Sequence, residues 1–304
     1  MKYLKLGGVL PASAIALGAM RIADMSNKCV DRLLGCAVES GINFFDHADI
    51  YGNGRSEEVF GNALKRISGL REKILIQSKC GIRQGMYDFS KEYILSSVDG
   101  ILSRLQIDYL DVLLLHRPDT LMDEFEVGEA FETLLQSGKV RYFGVSNQSP
   151  LQMELTGSEF SGKLLVNQMQ ISLANCPMID AGLNVNTMFP EGIVRDNGLL
   201  EYARLHHITL QAWSPLQYGF FEGNFVGSDR YPELNKKLNQ LAEKYNVTPV
   251  AIAIAWLLRH PVGIQPILGT TSDIHLQEAV KAVEIELTRE EWYELYLSVG
   301  KRLP

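Results

Sequence analysis

The chain has 304 residues, 46% of them hydrophobic and 21% charged, with a formal net charge of −7 at pH 7. These values are those of a soluble globular protein with a sizeable core, and the length suits one large α/β barrel or two medium domains. The negative balance and the lack of a long basic run exclude nucleic acid or an anionic membrane surface as a bulk partner.

Near the N-terminus, Lys2 and Lys5 precede an apolar stretch from Leu6 to Met20. Gly7-Gly8 and Pro11 interrupt it, which argues against a signal peptide and for short strands around a turn. Strands are predicted at Ile15–Met20, Asn43–Asp46, Ile74–Lys79, Leu110–His116, Tyr142–Ser146, Leu165–Gln168, Thr209–Ser214 and Gln265–Leu268. Amphipathic helical stretches alternate with them: Lys28–Ser40, Ser56–Ile67, Lys91–Leu105, Glu124–Ser137, Pro150–Glu159, Leu199–His206, Leu234–Tyr245, Pro249–Arg259 and Ile274–Val283. Ser56 and Ser90 are placed to cap helices with acidic first turns. Gly41 and Gly138 follow helix ends, and Thr248-Pro249 pairs a cap with a first-turn proline. Thr288 opens one more helix outside the barrel count. The longest uninterrupted apolar run, Val250 to Leu258, is too short to span a bilayer.

Eight strands alternating with helices imply an α/β fold, a (β/α)8 TIM barrel with a short N-terminal β-hairpin and extra C-terminal helices. No linker or composition shift divides residues 1–304, so the chain reads as one domain. The alternative, a doubly wound sheet, needs a glycine-rich phosphate turn after its first strand, and Gly18-Ala19-Met20-Arg21 is not one. The two longest irregular regions, Asn175–Asn197 and Pro215–Pro232, fall after strands six and seven, on the face where barrels bind ligands. The four cysteines, Cys29, Cys36, Cys80 and Cys176, show no paired spacing and no Cys/His cluster. That usage fits reduced thiols in a cytoplasmic protein and gives no metal site.

Three successive strands end on or just before ionisable residues: Asp46 with Tyr51 shortly after it, Lys79, and His116. In a parallel barrel all C-terminal strand ends share one face. A free phenol ionises near about pH 10 and is a poor acid at neutral pH. A neighbouring ammonium, Lys79, would lower that pKa for Tyr51, and Asp46 would keep Lys79 charged. His116 would hydrogen-bond the same substrate oxygen. Such a site protonates a developing alkoxide, as carbonyl reduction requires when a hydride arrives from the other side. Each residue taken singly has a structural reading: an aromatic plug, an ion pair, a core histidine. His47, next to Asp46 on the strand, should face the helices instead. Asp49 is a loop acid near the site, and His206-His207 suits a helix C-terminus.

Several segments together resemble the aldo-keto reductase superfamily, and its bacterial oxidoreductases in particular. They are Asp46–Gly52, Ser78-Lys79-Cys80-Gly81, Leu115-His116-Arg117-Pro118-Asp119, Gly138–Asn147, Asn167-Gln168, Trp213-Ser214-Pro215-Leu216 and Ile267–Thr271. The resemblance spans essentially the whole chain. It implies an NAD(P)H-dependent enzyme that reduces an aldehyde or ketone, with Asp46, Tyr51, Lys79 and His116 as catalytic tetrad and Tyr51 as general acid. It also implies a cofactor groove. Ser146, Asn147 and Gln168 would hold the carboxamide, Trp213 would stack on the nicotinamide, and Ser214 and Leu216 would lie near the pyrophosphate. Gly269, Thr270 and Thr271 precede a helix start that would bind the adenosine phosphates. His275 stands where the family often has an arginine for the 2′-phosphate, and Glu278 would meet the adenine. NADPH is the expected cofactor, with NADH possible because an imidazole does not reproduce a guanidinium.

The partner expected is a small-molecule carbonyl substrate, and the chain is expected to be a monomer with no membrane partner. Tyr87, Tyr218, Phe220, Phe221 and Phe225 suit an apolar substrate wall. One rival is a non-catalytic dinucleotide-binding regulatory subunit. Another is a Schiff-base enzyme with Lys79 as nucleophile.

Overall fold

A computed structural model describes residues 1–304. Its barrel strands are β1 (Ala16–Gly18), β2 (Phe44–Asp46), β3 (Leu75–Cys80), β4 (Leu110–Leu115), β5 (Val140–Ser146), β6 (Leu164–Gln170), β7 (Thr209–Trp213) and β8 (Ile264–Leu268). All pair in parallel in chain order, and β8 pairs with β1 to close the cylinder. Helices between them form the outer layer, as parallel strands joined by crossovers require. The sequence expectation of a (β/α)8 barrel is met, with strand ends displaced by one or two residues. No helix is long and apolar enough to cross a membrane.

A two-stranded hairpin, Tyr3–Leu6 with Leu10–Ser13, sits at the N-terminal mouth of the barrel. Leu6, Leu10 and Ala12 pack with Phe44, Val112, Leu114 and Leu165 inside the strands. The turn needs glycine. Gly7 has φ +57°, its N–H donates to Thr209 Oγ1, and a Cβ would lie 2.4 Å from Leu165. At the other end of the chain, the helix Arg289–Ser298 docks by tryptophan pairing. Trp256 and Trp292 stack at 4.7 Å, and each indole N–H donates to the other's carbonyl.

Four local expectations change. Ser56 does not cap its helix: Gly54 (φ +86°) takes that position, and the hydroxyl of Ser56, the second helical residue, donates to the Met20 carbonyl. Ser90 precedes Lys91–Leu105 as expected, but the Asp88 carboxylate captures its hydroxyl at 2.7 Å. The last barrel helix spans Asp273–Val280 and tightens into a 3-10 turn at Lys281–Glu284. The region 175–197 is not wholly irregular, because it contains the helix Pro177–Leu183 and a 3-10 turn at Pro190–Gly192. Thr248 and the Thr288–Glu291 capping box behave as expected.

Candidate active site

The C-terminal ends of the strands open into a cavity of about 900 Å³. Asp46 ends β2, Lys79 lies near the end of β3, and His116 directly follows β4. Tyr51 reaches the same place from the turn after β2, which is held against the neighbouring strand by His47 N–H to Gln77 O and Asp49 N–H to Lys79 O. Lys79 is fully buried. Its ammonium donates to Asp46 Oδ2 at 2.8 Å, to the His47 carbonyl at 2.7 Å and to the Tyr51 hydroxyl at 3.1 Å. The four residues that the sequence singled out are thus brought together.

Burial opposes the charge on Lys79, but the Asp46 carboxylate and Tyr51 override it and raise its pKa, so the lysine stays an ammonium. A protonated, three-fold hydrogen-bonded lysine is no nucleophile, which removes the Schiff-base reading. Burial together with the charges of Lys79 and Arg117 drives the His116 imidazole well below its usual pKa, so it is neutral. Its ring meets that of Tyr51 edge-on at 6.1 Å, and both side chains line the cavity. The expectation for Tyr51 needs correction. Lys79 does pull its pKa down, but burial pushes it up more strongly, and the phenol ends above its ordinary value. Desolvation of the phenolate outweighs one ammonium, and so Tyr51 rests in its protonated form.

Behind these residues lies a polar layer that the sequence reading missed. The register sets Asp46 beside Gln77, and Gln168, Gln211 and Gln265 side by side on β6, β7 and β8. Asp46 Oδ1 accepts from Gln77 Nε2 at 2.6 Å and from Gln168 Nε2 at 2.9 Å. The chain of amides continues through Gln211 and Gln265 to the Ser13 carbonyl. The period-two spacing of Gln77 and Lys79 was the available signal. Gln168, expected at the carboxamide, lines the cavity while using its amide N–H groups on Asp46 and Gln211.

Most of the other predicted positions converge on the same cavity. Ser146, Asn147 and Trp213 form a linked cluster: Trp213 Nε1 donates to Asn147 Oδ1 at 3.2 Å, and Asn147 Nδ2 to Ser146 Oγ at 2.7 Å. Ser214 and Leu216 line the adjoining wall. Gly269, Thr270, His275 and Glu278 line the end formed by β8 and the helix Asp273–Val280, whereas Thr271 lies outside the lining. Ser272 caps that helix, accepting from His275 N–H. Asn147 (φ +60°), Ser214 (φ +49°) and Phe221 (φ +54°) hold left-handed backbone along the cavity wall, a cost that binding sites commonly carry. The expected aromatic wall divides. Tyr87, Phe220 and Phe221 line the cavity, but Phe225 is core and Tyr218 packs on Tyr231. His47 faces outward against the Phe60 ring, as its strand parity implied.

Compared with known proteins, residues 14–296 match the profile described as "Aldo/keto reductase family". The chain belongs to the aldo/keto reductase family. A 6-dehydroglucose reductase of Agrobacterium fabrum is 36% identical over 100% of both chains. A solved aldo-keto reductase from Klebsiella pneumoniae, in complex with NADPH, superposes with a TM-score of 0.77. It is 26% identical, over 97% of this chain and 93% of that one. A putative voltage-gated potassium channel subunit beta of Schizosaccharomyces pombe is 29% identical, over 90% of this chain and 86% of its own length. As a member of this family the chain is an oxidoreductase enzyme.

The cavity fits a nicotinamide dinucleotide. Amide and hydroxyl groups cluster beside an indole at one end, a helix start with free backbone N–H groups lies at the other, and the space where a Gly269 Cβ would sit is open. Asp273 in that helix's first turn is paired with Arg32 at 3.1 Å, which removes its repulsion toward phosphate.

Proposed function

We propose that the chain reduces an aldehyde or ketone to an alcohol using NADPH, with NADH accepted. The contact between the Lys79 ammonium and the Tyr51 hydroxyl, 3.1 Å, carries this reading. The bound dinucleotide supplies a hydride to the carbonyl carbon. Tyr51 gives its proton to the carbonyl oxygen, and Lys79 stabilises the phenolate left behind. Asp46 holds Lys79 in place. Neutral His116 hydrogen-bonds the oxygen and keeps it in line with the hydroxyl. In the oxidative direction the Tyr51 phenolate takes the proton back.

Ser146, Asn147 and Gln168 are the proposed holders of the carboxamide, and Trp213 is the ring that packs on the nicotinamide. Ser214, Leu216, Gly269 and Thr270 run along the phosphates, with His275 and Glu278 at the adenosine end. The NADPH complex of the Klebsiella relative supports the choice of cofactor.

Multiple-turnover oxidation of NADPH with a panel of aldehydes and ketones tests the reading, and the name of the Agrobacterium relative makes 6-dehydroglucose one member. Turnover on at least one carbonyl is expected. Tight NADPH binding with no turnover on any of them would favour a non-catalytic dinucleotide-binding regulatory subunit; the Schizosaccharomyces relative is itself named as a channel subunit.

A further inference from the structure

Arg117 follows His116 at the end of β4 and lines the same cavity, half-buried. Its guanidinium carbon lies 5.8 Å from the Trp213 ring and 5.5 Å from the Phe220 ring. Fifteen ion pairs form elsewhere in the protein, each with a different arginine or lysine, yet no carboxylate reaches Arg117. It makes no side-chain hydrogen bond either. The aromatic faces offset part of its desolvation, but they leave five N–H donors unmatched. Burial and the nearby Tyr87 and Tyr51 hydroxyls act on its pKa in opposite senses, and a guanidinium remains charged throughout.

The rest of the cavity does not supply its partner. The acids lining it are Asp46, already neutralised by Lys79, and Glu278, on the helix after β8. β4 and β8 stand on opposite sides of the eight-stranded ring, so Arg117 is on the carbonyl side and away from the helix start assigned to the cofactor phosphates. A half-buried cation with no internal counter-charge is a site for an anion.

We infer that Arg117 selects carbonyl substrates that carry an anionic oxygen group, a carboxylate or a phosphate ester, held by the guanidinium while the carbonyl meets Tyr51 and His116. This deepens the proposed reductase reading and rests on it. Carboxylate and phosphate share the fork geometry that arginine recognises, and matched substrates separate them.

The test is the ratio of kcat/KM for two pairs under saturating NADPH: succinate semialdehyde against pentanal, and glyceraldehyde 3-phosphate against glyceraldehyde. The wild-type enzyme should prefer the anionic member of at least one pair by about tenfold or more, since a charge-assisted contact contributes roughly 1.5–3 kcal/mol. The pair with the larger ratio identifies the anion. Added salt should shrink the ratio. Arg117→Gln should bring it close to one, and Arg117→Lys should keep part of it. Wild-type ratios of one or less in both pairs, or a ratio unchanged in Arg117→Gln, would overturn the inference while leaving the reductase reading intact. Calorimetric titration with the alcohol products 4-hydroxybutanoate and glycerol 3-phosphate decides the matter without turnover. Binding that weakens in Arg117→Gln supports the role, and equal binding in both proteins refutes it.

Discussion

The Lys79 ammonium sits between an acid and an acid-to-be, 2.8 Å from Asp46 Oδ2 and 3.1 Å from the Tyr51 hydroxyl, with no solvent contact of its own. Water cannot replace either contact, so the lysine's charge is directed wholly at those two oxygens and at the His47 carbonyl.

Removal of the Tyr51 hydroxyl should stop proton delivery and little else. Tyr51→Phe is expected to lower kcat by about 10²–10⁴-fold, the range for loss of a general acid. NADPH affinity, followed by fluorescence titration, should stay within about twofold. Wild-type turnover in this variant would rule out Tyr51 as the acid.

Lys79→Met should cost both catalysis and stability, because the buried Asp46 carboxyl would lose its ammonium partner. Urea unfolding should show a loss of about 3–5 kcal/mol, as expected when one partner of a buried pair is removed. Adding Asp46→Asn to that variant should restore part of the stability and none of the activity. A double variant no more stable than Lys79→Met would show that the pair is not coupled.

Asp49 gives the fold a pH dependence. Its Oδ1 is buried with no partner, and burial, with Glu57 nearby, raises the carboxyl from 3.8 to about 7. The folded state therefore holds a proton that the unfolded chain has lost, and stability falls as pH rises from about 4 to about 7. Asp49→Asn removes that penalty. Urea unfolding should find the variant and wild type equal near pH 4, and the variant more stable at pH 8 by on the order of 3 kcal/mol. A difference independent of pH would assign the proton elsewhere.

His275 is exposed at the start of its helix, on the cavity wall. His275→Arg should tighten NADPH by about tenfold through a charge-assisted contact and leave NADH nearly unchanged. Dissociation constants for both cofactors in both proteins make the comparison. Equal gains for the two would place His275 away from the 2′-phosphate.

The barrel and the convergence of Asp46, Tyr51, Lys79 and His116 were legible because period-two runs and their polar ends survive in a linear reading. What eluded it depends on depth and neighbours. The rise in the Tyr51 pKa comes from desolvation, which a spacing of residues does not reveal. Gln211 and Gln265 look like ordinary polar interruptions until closure of the sheet sets them against Asp46. Arg117 belonged to a recognisable segment, but its importance lies in what it lacks, a counter-ion, and only the packed cavity shows that. Ser56 was misplaced as a cap because Gly54 can adopt the left-handed turn that starts the helix one residue pair earlier.

The amide chain across the barrel has a direction. At one end the Ser13 carbonyl can only accept, so Gln265 must present nitrogen to it and oxygen to Gln211. Gln211 must then offer oxygen to Gln77 and Gln168, which leaves both of those with nitrogen facing Asp46. The orientation of every link follows from a main-chain oxygen beside the N-terminal hairpin. Grafting the four reactive side chains onto another barrel would therefore carry over the parts without their polarity. A donor-only replacement as distant as Gln265→Lys would turn the link to Gln211, and the mismatch would arrive at the carboxylate that holds the lysine.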